Sequence, residues 1–253
     1  SIVPVGSTGY DIDNSLRFND DDSAVLTRTL STAGNLKTWT FSCWFKMGNL
    51  VNQQLLTWWD HNAGATNNQH WLGMISGQLE FKLYNGPANT HYGRLLTNQI
   101  LRDTSAWYHL TAVWDTSNAT SGDRMRLYLN GTRVDSFSVE TYPALNTDGY
   151  VNTTAKNATI GAALSSASLY VDKFDGYLAE VNFVDGQALT PADFGETDED
   201  YGHWKPIEYT GSYGTNGFYL DFKDSGSLGN DANGSNNWTP NNLAATDQML
   251  DSP

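Results

Sequence analysis

Trp39-Thr40-Phe41-Ser42-Cys43-Trp44-Phe45-Lys46 is the stretch that decides the fold. Its side chains repeat with a period of two. Trp39, Phe41, Cys43 and Phe45 fall on one face of an extended chain; Thr40, Ser42, Trp44 and Lys46 fall on the other. A helix would need apolar residues three and four apart, so this is a strand. The same period runs through residues 107–115, where Tyr108, Leu110, Ala112 and Trp114 alternate with His109, Thr111 and Val113. It returns where Met125, Leu127 and Leu129 alternate with Arg124, Arg126 and Tyr128. Asn130-Gly131 comes next, then Thr132-Arg133-Val134-Asp135. A two-residue type I′ turn needs positive φ at both central positions, so Asn-Gly there predicts a hairpin.

Further strands are expected at 15–18, 24–29, 55–58, 70–75, 78–84, 158–161, 175–184 and 217–222. The one helix-like stretch is Thr190-Pro191-Ala192-Asp193-Phe194, a single turn with Thr190 as cap and Pro191 at the first position. Many short strands separated by Gly, Asn, Ser and Thr predict an all-β protein, two antiparallel sheets packed as a sandwich. Of the 253 residues, 13% are aromatic, and large rings favour strands over helices. The chain length suits one large sandwich.

The net charge of −14 repels phosphate backbones, which argues against a nucleic-acid partner. The single cysteine, Cys43, excludes an internal disulfide and a thiolate zinc cluster; a buried structural thiol is expected. No apolar run approaches the length of a membrane span, and Ser1-Ile2-Val3-Pro4-Val5-Gly6 lacks the basic-then-apolar pattern of a signal peptide. Composition shifts near Gly195. Residues 1–195 read as the compact domain. Residues 196–253 read as a C-terminal extension that packs back on the domain or leads to a further module. It opens with the solvated acidic run Glu196-Thr197-Asp198-Glu199-Asp200.

A wider pattern emerges from the order of the motifs. Ser15-Leu16-Arg17-Phe18-Asn19-Asp20, the Trp39 stretch, Gly77-Gln78-Leu79-Glu80-Phe81 and the Trp107 stretch come first. Arg126-Leu127-Tyr128-Leu129-Asn130-Gly131, Ala158-Thr159-Ile160-Gly161 and Phe174-Asp175-Gly176-Tyr177-Leu178-Ala179-Glu180-Val181 follow. In this order they resemble the laminin G-like, concanavalin A-like jelly rolls over about residues 15–195. A narrower resemblance, to structural and fibre proteins of marine bacteriophages, rests on several shorter segments. They are Ser7-Thr8-Gly9-Tyr10, Lys37-Thr38-Trp39-Thr40, Asp185-Gly186-Gln187-Ala188-Leu189-Thr190, Trp204-Lys205-Pro206, Tyr209-Thr210-Gly211-Ser212-Tyr213-Gly214-Thr215-Asn216-Gly217-Phe218 and Asn237-Trp238-Thr239-Pro240-Asn241-Asn242. These resemblances imply a virion-surface, extracellular fibre or decoration protein with a lectin-like module. They imply host cell-surface glycan or neighbouring virion proteins as partners, and a homo-oligomer, fibre proteins being commonly trimers.

The alternative is a glycoside hydrolase of the same superfamily. That chemistry needs two carboxylates at even spacing on one strand. Glu180 reads as a lone carboxylate with Leu178 and Asn182 on its own side, so a binding protein rather than an enzyme is expected. The five histidines show no metal-ligand spacing. Sugar binding needs flat rings with amides and carboxylates nearby, which singles out Trp58, Trp59, Asp60, His61, Asn67, Asn68 and His70. The loop from Tyr84 to Tyr92 is a second polar and aromatic candidate. Calcium is the cofactor expected if a metal is bound. Its candidate ligands are Asp20, Asp21 and Asp22 in a tight turn and Asp175 beside a strand start, with Asp172 nearby. Against the usual calcium sites of the family, Ala162, Ala163 and Leu164 follow the Ile-Gly strand, and Ala179 stands where many relatives carry Asp.

Overall fold

The computed structural model describes residues 10–59, 68–86, 88–166 and 169–253, with backbone alone at Trp58, Trp59, Ser165 and Ser166. Two eight-stranded antiparallel sheets dominate it, as a jelly-roll sandwich requires. The first runs β10 (Thr132–Arg133), β9 (Met125–Leu129), β8 (Tyr108–Asp115), β3 (Thr38–Met47), β15 (Gly176–Asp185), β1 (Ser15–Phe18) and β20 (Gln248–Met249), with β18 (Phe218–Leu220) also on β15. The second runs β11 (Phe137–Thr141), β7 (Thr90–Ile100), β6 (Gln78–Asn85), β5 (Gln69–Ile75), β4 (Gln53–Trp59), β12 (Asn157–Ile160), β2 (Val25–Thr29) and β19 (Thr239–Asn241). Two hairpins complete the set: β13 (Ala163–Ser166) with β14 (Leu169–Val171), and β16 (Gly195–Thr197) with β17 (Trp204–Pro206).

The expected alternation sets the core. Phe41, Cys43 and Phe45 of β3, Leu110, Ala112 and Trp114 of β8, and Leu127 of β9 are fully buried between the sheets. Phe81, Leu72 and Ile160 meet them from the second sheet. Trp39 and Trp114 stack with ring centroids 6.5 Å apart. Phe81 meets Trp39 edge-on at 5.6 Å. Edge-to-face and offset contacts of this kind add to the area buried. Burial pushes the Cys43 thiol up, as a structural thiol would show. Asn130 and Gly131 both have positive φ, 47° and 77°, so the β9–β10 hairpin has the turn its sequence demands.

Two features depart from the sequence reading, and between them the extension takes the first of its two expected courses. Residues 90–92, read as loop, begin the long strand β7; only the turn after Asn85 is irregular. The extension supplies strands to both sheets: β18 and β20 join the first and β19 joins the second. It is therefore woven into the sandwich. Finally, β15 carries a bulge between Ala179 and Asn182. The bulge inserts a residue and breaks the period of two. Leu178 packs into the core, whereas Asn182 stays on the outer side with Glu180: its amide donates to the Glu180 backbone oxygen, and its cross-strand partner Tyr219 is hydrogen-bonded to the Glu180 carboxyl.

Candidate functional site

The two outer faces of the sandwich differ. On the first sheet the outward residues Thr40, Ser42, Trp44, His109, Ala179 and Asn182 are all buried. Trp204 of the extension covers His109, residues 187–189 cover Thr40, and Tyr10 and Ile12 join Trp204 over Trp44 and Ala179. The Trp204 indole stacks over His109 at 5.9 Å between centroids and donates to its Nδ1 at 2.9 Å. Gly131 and Gly195 leave room for that ring: a Cβ at either would come within 2.6 Å of it. His109 Nδ1 is therefore an acceptor, which places the proton on Nε2, where it donates to Ser42 Oγ at 2.8 Å. Burial lowers His109 to about 3. A serine paired with a neutral histidine in this tautomer lacks the free base that nucleophilic catalysis requires.

The outer face of the second sheet meets solvent along most of its width. Cross-strand register places one residue from each of its eight strands in a single row: Thr239, Thr27, Thr159, Thr57, Trp71, Lys82, Arg94 and Thr141. Directly paired residues share a face, and the alternate positions Leu26, Ile160, Leu56, Leu72, Phe81 and Leu95 are buried core, so the row points outward. At one end the β13–β14 hairpin stands over the row. Thr27, Thr29, Asn157, Thr159, Thr239, Arg28, Leu164 and Tyr170 enclose a cleft of about 400 Å³ there. At the other end Arg94 donates to Glu80 Oε1, with Nη2 2.6 Å away, and Lys82 Nζ lies 3.0 Å from Glu80 Oε2. The Lys82 ammonium also sits 3.9 Å from the centre of the Trp71 ring, a cation–π contact. Between the two ends Gln54 and Thr57 are buried, yet both Gln54 amide atoms, Thr57 Oγ1 and Trp71 Nε1 have no hydrogen-bond partner among the described residues. Gln54 fits because Gly73 opposite has no Cβ, which would lie 2.7 Å from Gln54 Oε1.

Of the residues singled out for sugar binding, Asp60, His61 and Asn67 lie outside the described residues. Trp58 and Trp59 belong to β4; in register Trp58 sits opposite Ala158 and His70, and Trp59 opposite Asn157 and Gln69. Asn68 is tied to the end of β6, its Oδ1 accepting from Gly86 N–H at 3.2 Å. His70 is a correction. It is 2% exposed and points into the core, edge-on to Trp114 at 4.6 Å, with Nδ1 accepting from Val151 N–H. Its neighbours Trp71 and Gln69 take the outward positions, because alternation turned this histidine inward. From Tyr84 to Tyr92, Tyr84 Oη donates to Asn89 and Asn85 donates to Tyr92 Oη, closing the turn on itself.

The acidic candidates part company. Asp22 accepts from Asn19 Nδ2 at 2.7 Å within its own turn, and Asp21 stays exposed. Asp20 and Asp175 do converge, on either side of the Asn49 amide nitrogen, at 3.5 and 3.1 Å. The Asn49 oxygen accepts from Val51 N–H and Gln53 Nε2, which turns the N–H side toward the carboxylates. Desolvation, then Asp20, raises Asp175 above the usual carboxylate range. A hard cation needs six or more oxygens. A donor amide fills the gap between the two acids, and no group of three or more Asp, Glu, His or Cys gathers among the described residues. The residues so placed do not fit calcium.

The row from Thr239 to Thr141 was not legible beforehand. Thr27, Thr57 and Thr159 show only as polar residues in expected strands, Thr141 and Thr239 lie outside every expected strand, and the paired Thr27 and Thr239 are 212 residues apart.

Comparison with known proteins adds the family. The model for the concanavalin A-like lectin/glucanases superfamily, of laminin G type, matches residues 18–194. No curated protein matches the chain. Among solved structures, a putative carbohydrate binding protein from Bacteroides ovatus ATCC 8483 is 14% identical with a TM-score of 0.55. That match covers 92% of this chain and 59% of the other. The heptameric SAP-like pentraxin from Limulus polyphemus is 15% identical with a TM-score of 0.51, over 84% of this chain and 94% of that one.

Proposed function

The chain belongs to the concanavalin A-like lectin/glucanase superfamily, and from that premise we propose that it is a carbohydrate-binding, lectin-like module with its ligand on the outer face of the second sheet. The observation that carries this reading is the row of five threonines, a tryptophan, a lysine and an arginine crossing all eight strands. Thr27, Thr29 and Thr159 of the cleft donate their hydroxyl protons to Thr239 O, Asn157 Oδ1 and Ala162 O, which leaves oxygen lone pairs to accept from sugar hydroxyls beside the aromatic wall of Tyr170. The Bacteroides neighbour described as carbohydrate-binding has the same fold. Hydrolysis is disfavoured, because both oxygens of Glu80 are engaged by Arg94 and Lys82 rather than free for acid–base work. The phage-like segments at residues 7–10, 37–40, 185–190, 204–206, 209–218 and 237–242 support a finer reading: a virion-surface fibre or decoration module, in a homo-oligomer, contacting host glycan or neighbouring virion proteins.

A glycan array tests the binding. The expected result is retention of a defined sugar set, weakened roughly tenfold in Tyr170→Ala, the equivalent of about 1.4 kcal/mol, at an unchanged melting temperature. Retention of no glycan, or binding indifferent to the cleft, would overturn the site. Host cells and purified virion proteins test the finer reading, and capture by neither removes it.

A further inference from the structure

Glu180 sits on the sealed face, at the bulge in β15, with φ at 50° and 7% of its surface exposed. A non-glycine residue in the left-handed region is strained, and such strain persists where its surroundings over-determine it. Two phenols contact its carboxyl group and each other. Tyr10 Oη lies 2.7 Å from Oε2, Tyr219 Oη lies 2.7 Å from Oε1, and the two phenol oxygens are 2.6 Å apart. Three oxygen pairs at that range need three protons. The two phenols supply two. If the acid is ionised, one pair faces lone pair to lone pair. If it is protonated, the ring closes: Tyr10 donates to Glu180, Glu180 to Tyr219, and Tyr219 to Tyr10.

We infer that Glu180 is a neutral carboxylic acid in the folded protein, and that its proton closes a ring strapping the N-terminal segment, through Tyr10, onto the first sheet. The same segment is held beyond Tyr10 by Ile12, packed with Trp44 and Ala179. Other groups around the ring offer no replacement proton. Asn182 Nδ2 donates to the Glu180 backbone oxygen and its Oδ1 accepts from Tyr213. Lys223 is opposed by Asp221 beside it, while Glu208 acts on Tyr10 and Asp231 on Tyr213, both as like charges. Burial raises Glu180 above the usual carboxylate range and pushes both phenols up, so neither tyrosine yields its proton first.

The sign follows. An acid whose folded pKa is raised stabilises most below its unfolded value, near 4.5, and loses that contribution as pH rises through the folded value. The strap is closed in mild acid and loosens toward higher pH.

Carbon-13 labelling of the glutamate carboxyls, with Glu180 assigned by Glu180→Gln, reads the proton directly. Hydrogen exchange over residues 10–14 reads the strap. The expected result is a Glu180 carboxyl that stays protonated above the usual carboxylate range, and exchange that accelerates roughly tenfold through the same midpoint, the worth of one hydrogen bond. In Glu180→Gln the amide supplies a donor at every pH, so exchange stays slow and flat. Should that variant fail to fold, Tyr10→Phe opens the ring while keeping the bulk, and exchange is fast and flat. Titration of Glu180 together with the exposed glutamates, or exchange that ignores its midpoint, overturns the proposal.

Discussion

On the first sheet, Ser42, Trp44, His109 and Asn182 project away from the core and still end up buried, under Trp204, Tyr213 and neighbours from the C-terminal quarter of the chain. On the second sheet, Trp71, Lys82 and Arg94 project away from the core and keep part of their surface in water. Both faces are built from the same alternation. What separates them is where the segments carrying Tyr10 and Ile12, Gln187 and Leu189, and Trp204 and Tyr213 travel. A β-strand makes an inner and an outer side, and only the remainder of the chain decides whether the outer side becomes a second core or a binding surface. The sealed side carries rings and locked tautomers. The open side carries hydroxyls and charges.

Acid gives the widest test of that contrast. His70 between the sheets and His109 on the sealed face are both lowered to about 3 by burial. A base whose folded pKa is depressed contributes stability above its unfolded value of about 6.5 and loses it as pH falls toward the folded one. The loss is on the order of 4 kcal/mol per ring at most, at about 1.4 kcal/mol per unit. Urea midpoints from pH 7.5 to 3.5 are expected to fall steeply, and His109→Gln to remove about half of the fall. A shallow profile, unchanged by that substitution, would mean that water reaches the sealed face.

A smaller effect comes from truncating the covering residue. Trp204→Ala should cost about 3 kcal/mol, as for other large aromatic truncations, seen as a lower urea midpoint. It should leave glycan binding at the opposite face intact. Equal loss of both properties would show that the two faces are not independent.

The smallest effect probes the open side. Arg94→Ala leaves the buried Glu80 carboxylate with Lys82 alone. Removing one partner of a buried pair costs about 3 kcal/mol or more, and because Arg94 is one-quarter exposed, about 2 kcal/mol is expected here. A calorimetric melt measures it. Glu80→Gln in the same background should recover part of the loss, since the uncompensated charge is then gone.

How far the sequence reached can be judged from single residues. Trp39, Phe41, Phe45, Leu110, Trp114 and Leu127 announce their burial by alternation, because side-chain direction in a strand is a local property. Asn130-Gly131 announces its hairpin for an equally local reason, the backbone angles that this dipeptide tolerates. His70 could not be read the same way from its polar, aromatic neighbourhood, although its own alternation with Trp71 and Leu72 held the signal. Asp20 and Asp175 were picked as acids, but the Asn49 amide between them is visible only in space.

Local patterning alone therefore settled that this chain is a two-layer antiparallel sandwich and which rings fill it. The identity of the open face, the seating of Trp204 between two glycines, and the closed contact of Tyr10, Glu180 and Tyr219 came from pairing across distances of up to about two hundred residues. Strand direction is fixed by neighbours in sequence. Which strands lie side by side, and what covers them, is fixed by the free energy of the whole packed molecule.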